Sequence, residues 1–234
     1  MKIKHIITAV FFLAALCSLI MPLRFASAAG DSSLPAFPDF IASVKNGQAG
    51  VVRGVYVPGV LAYPVYQQAD NDPGYVSETE GVVTQFSLAA KNNVIGLLAH
   101  NTLAGASFSN LMIGQEVRIV YGDAKVMYYI INQLNRFQAL PHKNQIIGYL
   151  DLSTDTFLDT NEIFSMFYQG NSHVTFQTCI QKGNETSWGR LFVTAIPVPP
   201  TYFAEIQRLH MTSVQASRKA YPTFELLKGI AMVR

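Results

Sequence analysis

The sequence predicts a mainly β chain, an all-β barrel or sandwich. Three observations carry that prediction. Short runs rich in Val, Ile and Tyr recur between residues 51 and 195, Gly, Pro and Asn punctuate them at strand-length intervals, and only two later stretches have helical spacing. No internal repeat is present, which argues against solenoids and propellers. With 234 residues, 50% of them apolar, the chain can bury one sizeable core, and two full domains would be a tight fit.

Residues 1–28 read as a signal peptide or an uncleaved N-terminal membrane anchor. Basic Met1-Lys2-Ile3-Lys4 precedes an apolar run from Ile6 to Leu23, and Ala26-Ser27-Ala28 has the small-residue cleavage pattern. Leu16 stands before Cys17 where a lipid-attachment box needs a small residue. Residues 29–50, with Pro35, Pro38, Gly47 and Gly50, read as a linker or short helix leading into the domain. "VVRGVYVPGVLAYPVYQQ" (51–68) is Val- and Tyr-rich but broken by Pro58, Gly59 and Pro64, as bulged edge strands are. After the turn "DNDPGY", strands are expected at "VVTQFSL", "NVIGLLAH", "EVRIVYG" and "KVMYYIINQLNRF". "GASFSNLMIG" has room for one or two helical turns. "DTNEIFSMFYQG" predicts a helix capped by Asp159 or Thr160, with Glu162 at its positive end and Gly170 as its stop. Residues 197–234 form a C-terminal extension. There "TYFAEIQRLHMTSVQASRKA" follows Pro199-Pro200 with helical spacing and is expected to pack on the domain, covering a groove or touching a partner or membrane being the alternatives.

Without residues 1–28 the formal charge falls from +2 to −1, because Lys2, Lys4 and Arg24 depart with no acid. Such a surface has no attraction for nucleic acid. The same cleavage leaves Cys179 as the sole cysteine. An exported domain usually pairs its thiols, so an unpaired one is either a small buried hydrophobe or a reactive group. Asn184-Glu185-Thr186 is formally a glycosylation sequon, relevant only to a eukaryotic secretory route.

In "SHVTFQTCIQKGNETSWGRLFVTA" (172–195) the strand alternation puts Val174, Phe176 and Ile180 on one face and Thr175, Gln177 and Cys179 on the other. The first set suits a core, so Cys179 is expected to face a barrel mouth or groove. The polar loop after it can return the chain antiparallel, with Arg190 near the height of Cys179. A nearby guanidinium favours thiolate over thiol and can hydrogen-bond an oxyanion, but it cannot act as a base. A proton carrier is therefore needed, and histidine is the usual one. His173 lies six residues along the strand from Cys179, about 20 Å away. His142 follows Pro141 in an expected loop, and His210 falls in the C-terminal extension. His100 closes the apolar run "NVIGLLA" at a strand end where a side chain can meet solvent and substrate. Spacing alone does not join it to Cys179, and a structural histidine or a surface arginine fits the same positions.

Taken together these segments resemble the sortase family. "NVIGLLAHNTLAGASFSNLMIGQEVRIVYG" is similar to the segment in which a strand ends in the catalytic histidine, followed by F-x-x-L and then G-x-x-V. "VTFQTCIQKGNETSWGRLFVTA" resembles the T-L-x-T-C strand, variable loop and R-L-x-V strand, and "VYVPGVLAYPV" the opening strands. The resemblance covers about residues 51–196, in family order. Phe176 stands where Leu is usual and Ala99 precedes His100 where Gly is common, a pattern nearest to classes E and F. The resemblance implies an eight-stranded sortase-type β-barrel with short connecting helices and a C-terminal helical tail. It implies His100, Cys179 and Arg190 as catalytic residues at one end of a peptide groove, with no cofactor or metal. The activity implied is a cysteine transpeptidase that cuts an LPxTG-type sorting motif and passes the acyl group to an amine. Its partners would be sorting-signal-bearing surface proteins or pilins and an amine acceptor of the cell envelope, outside the cytoplasmic membrane.

Two other readings remain open on the residues. Papain-like and L,D-transpeptidase-like enzymes have local cysteine motifs absent here. A non-catalytic exported β-domain that binds peptide or glycan would need Cys179 only for packing. In "DLSTDTFLDTNE", Asp151, Ser153, Asp155 and Glu162 fall at calcium-loop offsets, but Thr156 occupies the glycine position, so these acids read better as turn and helix-cap residues.

Overall fold

A computed structural model describes residues 34–69, 71–72, 74–142 and 145–220. The expected signal or anchor, residues 29–33 of the expected linker and residues 221–234 of the extension lie outside them. Ten strands form one sheet: β1 (Val52–Val57), β2 (Leu61–Gln67), β3 (Val83–Gln85), β4 (Ile95–Leu98), β5 (Glu116–Tyr121), β6 (Val126–His142), β7 (Gln145–Asp151), β8 (Phe157–Asp159), β9 (Val174–Lys182) and β10 (Glu185–Val198). Their order is β10-β9-β4-β3-β2-β1-β5-β6-β7-β8, and β6 also pairs with β10. That last pairing closes the first eight strands of the order into a barrel, leaving β7 and β8 as a ribbon that continues the outer half of β6. The eight-stranded barrel that the resemblance implied is therefore present.

The barrel explains which hydrophobic residues alternate inward. Val55, Val57, Leu61, Leu97, Ile119, Ile131, Val174, Phe176 and Val193 fill its interior, all but fully buried. A 3-10 helix at Ala104–Asn110 contributes Phe108, whose ring meets Phe176 edge-on at 5.1 Å. On the outer face, helix α3 (Thr160–Tyr168) lays Ile163, Phe167 and Tyr168 over Phe137 and Phe192, beside Ala89 of α2 (Ser87–Lys91). Phe167 and Phe192 stack at 4.1 Å, and Phe137 meets both edge-on at 5.7 Å. Phe137→Ala is expected to cost about 3–5 kcal/mol, because the three rings it touches, Tyr149, Phe167 and Phe192, cannot collapse into the space left. Urea unfolding of the variant measures it.

Several expectations are corrected. The strands at 51–68 are interior, β1 lying between β2 and β5, and β2 between β1 and β3. Pro64 is tolerated there because the parallel ladder with β3 begins only at Val65, so its missing N–H interrupts no bond on that side. His142 ends a strand instead of sitting in a loop; the register shifts between Leu140 and Pro141, and that bulge accommodates the proline. Of the two alternatives for the stretch before the domain, the short helix is the one that forms: α1 (Phe37–Val44) packs Phe40 against Tyr56 and Val120. The C-terminal helix α4 (Tyr202–Ala220) forms, but Ile206, Leu209 and Met211 are 49–61% exposed, so it does not pack there as expected. Among the described residues no helix is long and apolar enough to cross a membrane.

Candidate active site

The site is built where three neighbouring strands reach the same level. β9 and β10 pair antiparallel with Arg190 directly opposite Cys179. On the other side of β9, β4 pairs in parallel, with Leu98 opposite Gln177, and Ala99 N–H extends the ladder by donating to Gln177 O at 3.2 Å. His100 follows Ala99 just past the end of β4, and Cys179 lies two residues beyond Gln177 on β9. One pocket of about 150 Å³ is lined by Val76, Leu98, Ala99, His100, Gln177, Thr178, Cys179 and Arg190. The three residues singled out from the sequence are thus brought together. Cys179 is free and half-buried, on the outward face expected from the alternation.

Each group is fixed by its own backbone surroundings. Thr178, buried on the barrel side of β9, donates its hydroxyl to Ala99 O at 2.9 Å and so ties the residue before the cysteine to the residue before the histidine. His100 O accepts from Leu103 N and Gly105 N, both at 3.0 Å, which turns the chain sharply at the end of β4. Gly105 is required there, because a Cβ would run into the Thr178 hydroxyl and lie 2.7 Å from the carbonyl oxygens of Ala99 and His100. Asn101 Nδ2 donates to Thr186 O at 3.0 Å, holding this turn against β10. Thr178→Val keeps the shape and removes the hydroxyl, leaving Ala99 O without that donor. We expect a loss of about 1–3 kcal/mol in stability as the residues preceding His100 and Cys179 lose their common tether, measured by denaturation.

Arg190 sits just beyond a bulge, since the β9–β10 register shifts between Glu185 and Gly189. Its Nη1 donates to Ser187 O at 3.1 Å and to Gly189 O at 2.8 Å. These bonds hold one arm of the guanidinium and leave the other donors for a ligand. Opposite Arg190 on β6 stands Phe137, part of the buried aromatic cluster on the outer face.

Three neighbours were not singled out as site residues by the sequence. Burial pushes the Tyr149 phenol up, with the Arg190 guanidinium opposing the shift and Cys179 adding to it, so the β7 ribbon comes within electrostatic reach of both. Tyr168 is buried and its phenol is pushed well up, chiefly by desolvation. Its hydroxyl donates to Gln177 Oε1. Alternation had put Gln177 on the cysteine's face, but nothing in the sequence signals its partner nine residues earlier.

His173 takes another role. It bonds through its ring nitrogens to Asn171 O at 2.6 Å and Phe167 O at 3.0 Å, holding the turn after α3 far from Cys179. The acids at calcium-loop offsets do serve turn and cap. Asp151 Oδ1 accepts from Ser153 N at 2.7 Å, and Asp159 with Glu162 forms a capping box on α3. Among the described residues no group of three His, Cys, Asp or Glu is placed to hold a metal.

No protein-family profile matches the chain, and none of the curated proteins does. Among solved structures, it is similar to sortase C-1 from Actinomyces oris, at 16% identity over 70% of this chain and 82% of that one, with a TM-score of 0.43. It is also similar to a Clostridium perfringens sortase D5 transpeptidase, at 14% identity over 70% and 89%, TM-score 0.42. A lid mutant of sortase A from Corynebacterium diphtheriae matches at 13% identity over 69% and 89%, TM-score 0.44.

Proposed function

We propose that this protein is a sortase-like cysteine transpeptidase that cleaves an LPxTG-type sorting motif and transfers the acyl fragment to an amine. The observation that carries the reading is the register: a thiol, a guanidinium and an imidazole from three adjacent strands line one small pocket. Apart from these side chains, that pocket is walled by apolar groups, Gln177 and Thr178, a setting in which charge–charge and hydrogen-bond interactions strengthen.

In the first half-reaction the Cys179 thiolate attacks the scissile carbonyl carbon. The carbonyl electron pair moves onto oxygen, where the free donors of Arg190 hold the oxyanion. Collapse breaks the C–N bond, and protonated His100 gives its proton to the departing amine, leaving a thioacyl-enzyme and neutral imidazole. In the second, His100 takes a proton from the incoming amine as its nitrogen attacks the thioester. The C–S bond breaks, the thiolate is regenerated and a new amide leaves. Water in place of the amine gives hydrolysis.

The acyl donors on this reading are surface proteins or pilins that carry a sorting signal, and the acceptor is a cell-wall precursor amine or a pilin lysine. The features of residues 1–28 support a location outside the cytoplasmic membrane, secreted or held at its outer face. Nucleic acid has no part in this function.

Thiol alkylation at neutral pH tests the reading against a binding module with a packed cysteine. Iodoacetamide is expected to modify Cys179 readily, and a cognate sorting peptide to protect it. Slow alkylation with no protection by any LPxTG-type peptide would favour the binding module.

A further inference from the structure

The pocket contains one hydrogen-bond donor that the mechanism above does not use. Gln177 precedes Cys179 by two residues on the same face of β9 and lines the same pocket. Its side-chain carbonyl is committed, because Oε1 accepts the Tyr168 hydroxyl. The opposite amide orientation is disfavoured by the tyrosine. Tyr168 is 3% exposed, and turning the amide over would leave the phenolic proton buried with no acceptor. Among the described residues Nε2 has no protein partner, so its two N–H groups are presented to the pocket.

Tyr168 reaches this position because β4 carries a glycine under its ring. A Cβ on Gly96 would lie 2.8 Å from the Ala89 Cβ and 3.1 Å from Tyr168 Cε1. The ring is held from the other sides by Phe86 at 5.0 Å and Phe164 at 5.6 Å between centroids. The capping box of α3 fixes the helix that ends in Tyr168. Gln177 is therefore a preset donor and not a free surface amide.

The spacing suits an extended peptide. Residues two apart on a strand are about 7 Å apart, and so are the carbonyls of an extended peptide that face one way. With the scissile carbonyl at Cys179, a carbonyl two residues away comes level with Gln177. We infer that Gln177 donates from Nε2 to a backbone carbonyl on the acyl side of the scissile bond, with Tyr168 as the residue that positions it. This rests on the transpeptidase reading and adds a substrate-binding residue to it. The bond is made to peptide backbone, so it sets the register of the donor peptide and does not select its side chains. Being equally present before and during attack, it contributes to KM more than to kcat.

The test is steady-state cleavage of an LPxTG-type peptide set by the wild-type chain, Gln177→Ala and Tyr168→Phe, alongside alkylation of Cys179 by iodoacetamide. The wild type is read first: if no peptide acylates it, the transpeptidase reading itself falls, and this inference with it. Given acylation, Gln177→Ala is expected to raise KM about tenfold with a smaller change in kcat. The iodoacetamide rate, which needs no peptide, should stay at the wild-type value. Tyr168→Phe keeps the ring packing and frees the amide, so a smaller rise in KM in the same direction is expected. Wild-type KM in Gln177→Ala would overturn the inference. So would a fall in kcat accompanied by slower alkylation, which is the mark of a structural role.

Discussion

On the transpeptidase reading, Cys179→Ala is expected to abolish acyl transfer to any amine, with no thioacyl adduct detectable by mass spectrometry, while the barrel survives. The loss is complete because the covalent intermediate needs a nucleophile that no neighbouring side chain can replace: Thr178 points into the barrel and its hydroxyl is committed to Ala99 O. The fold tolerates the change because Cys179 is half-buried on the outer face and belongs to none of the apolar clusters. Thermal unfolding is expected to shift by no more than about 1 kcal/mol, typical of a small truncation outside the core. Residual cleavage by the variant would refute the nucleophile assignment, whatever the state of the fold.

On the transpeptidase reading, Arg190→Ala should lower kcat/KM by roughly a hundredfold to a thousandfold, the usual consequence of removing an oxyanion donor. Arg190→Lys is expected to recover little of it. The arginine is held through Nη1 by two carbonyls, at 2.8 and 3.1 Å, while its remaining N–H groups have no protein partner among the described residues. A single ammonium on a flexible stem cannot satisfy the carbonyls of Ser187 and Gly189 and reach an oxyanion in the same geometry. Steady-state kinetics of both variants with one peptide decides the point. A lysine variant with near wild-type rates would reduce the role of Arg190 to positive charge alone.

How the sequence encodes this arrangement differs from part to part. Strand alternation placed Val174, Phe176 and Ile180 inward and Cys179 outward, because inward and outward residues differ in chemistry and the period is local. The α3 cap was legible for the same reason, Asp159 and Glu162 being three residues apart. Closure of the barrel was not legible from patterning, since it depends on β6 pairing with β10, strands separated by the whole α3 and β9 region. The same holds for His100 and Cys179. Their strands meet in a parallel ladder that leaves no turn signal between them, and only the order of motifs pointed to their union. β7 and β8 escaped prediction because their apolar residues do not alternate cleanly: Tyr149 and Leu158 pack on the outer aromatic cluster while Ile147 and Phe157 stay half open to solvent. The exposed α4 shows the converse. Helical spacing in "TYFAEIQRLHMTSVQASRKA" was correctly read, but spacing does not say what, if anything, the apolar side will meet.

Intact-mass spectrometry of the wild-type chain, mixed with sorting-type peptides and then with an amine, tests the central claim most directly. The account predicts a mass increase equal to the acyl fragment, mapped by digestion to Cys179, which disappears on adding the amine as the joined product accumulates. A chain that never gains that mass with any peptide, although its thiol is alkylated freely, would contradict it.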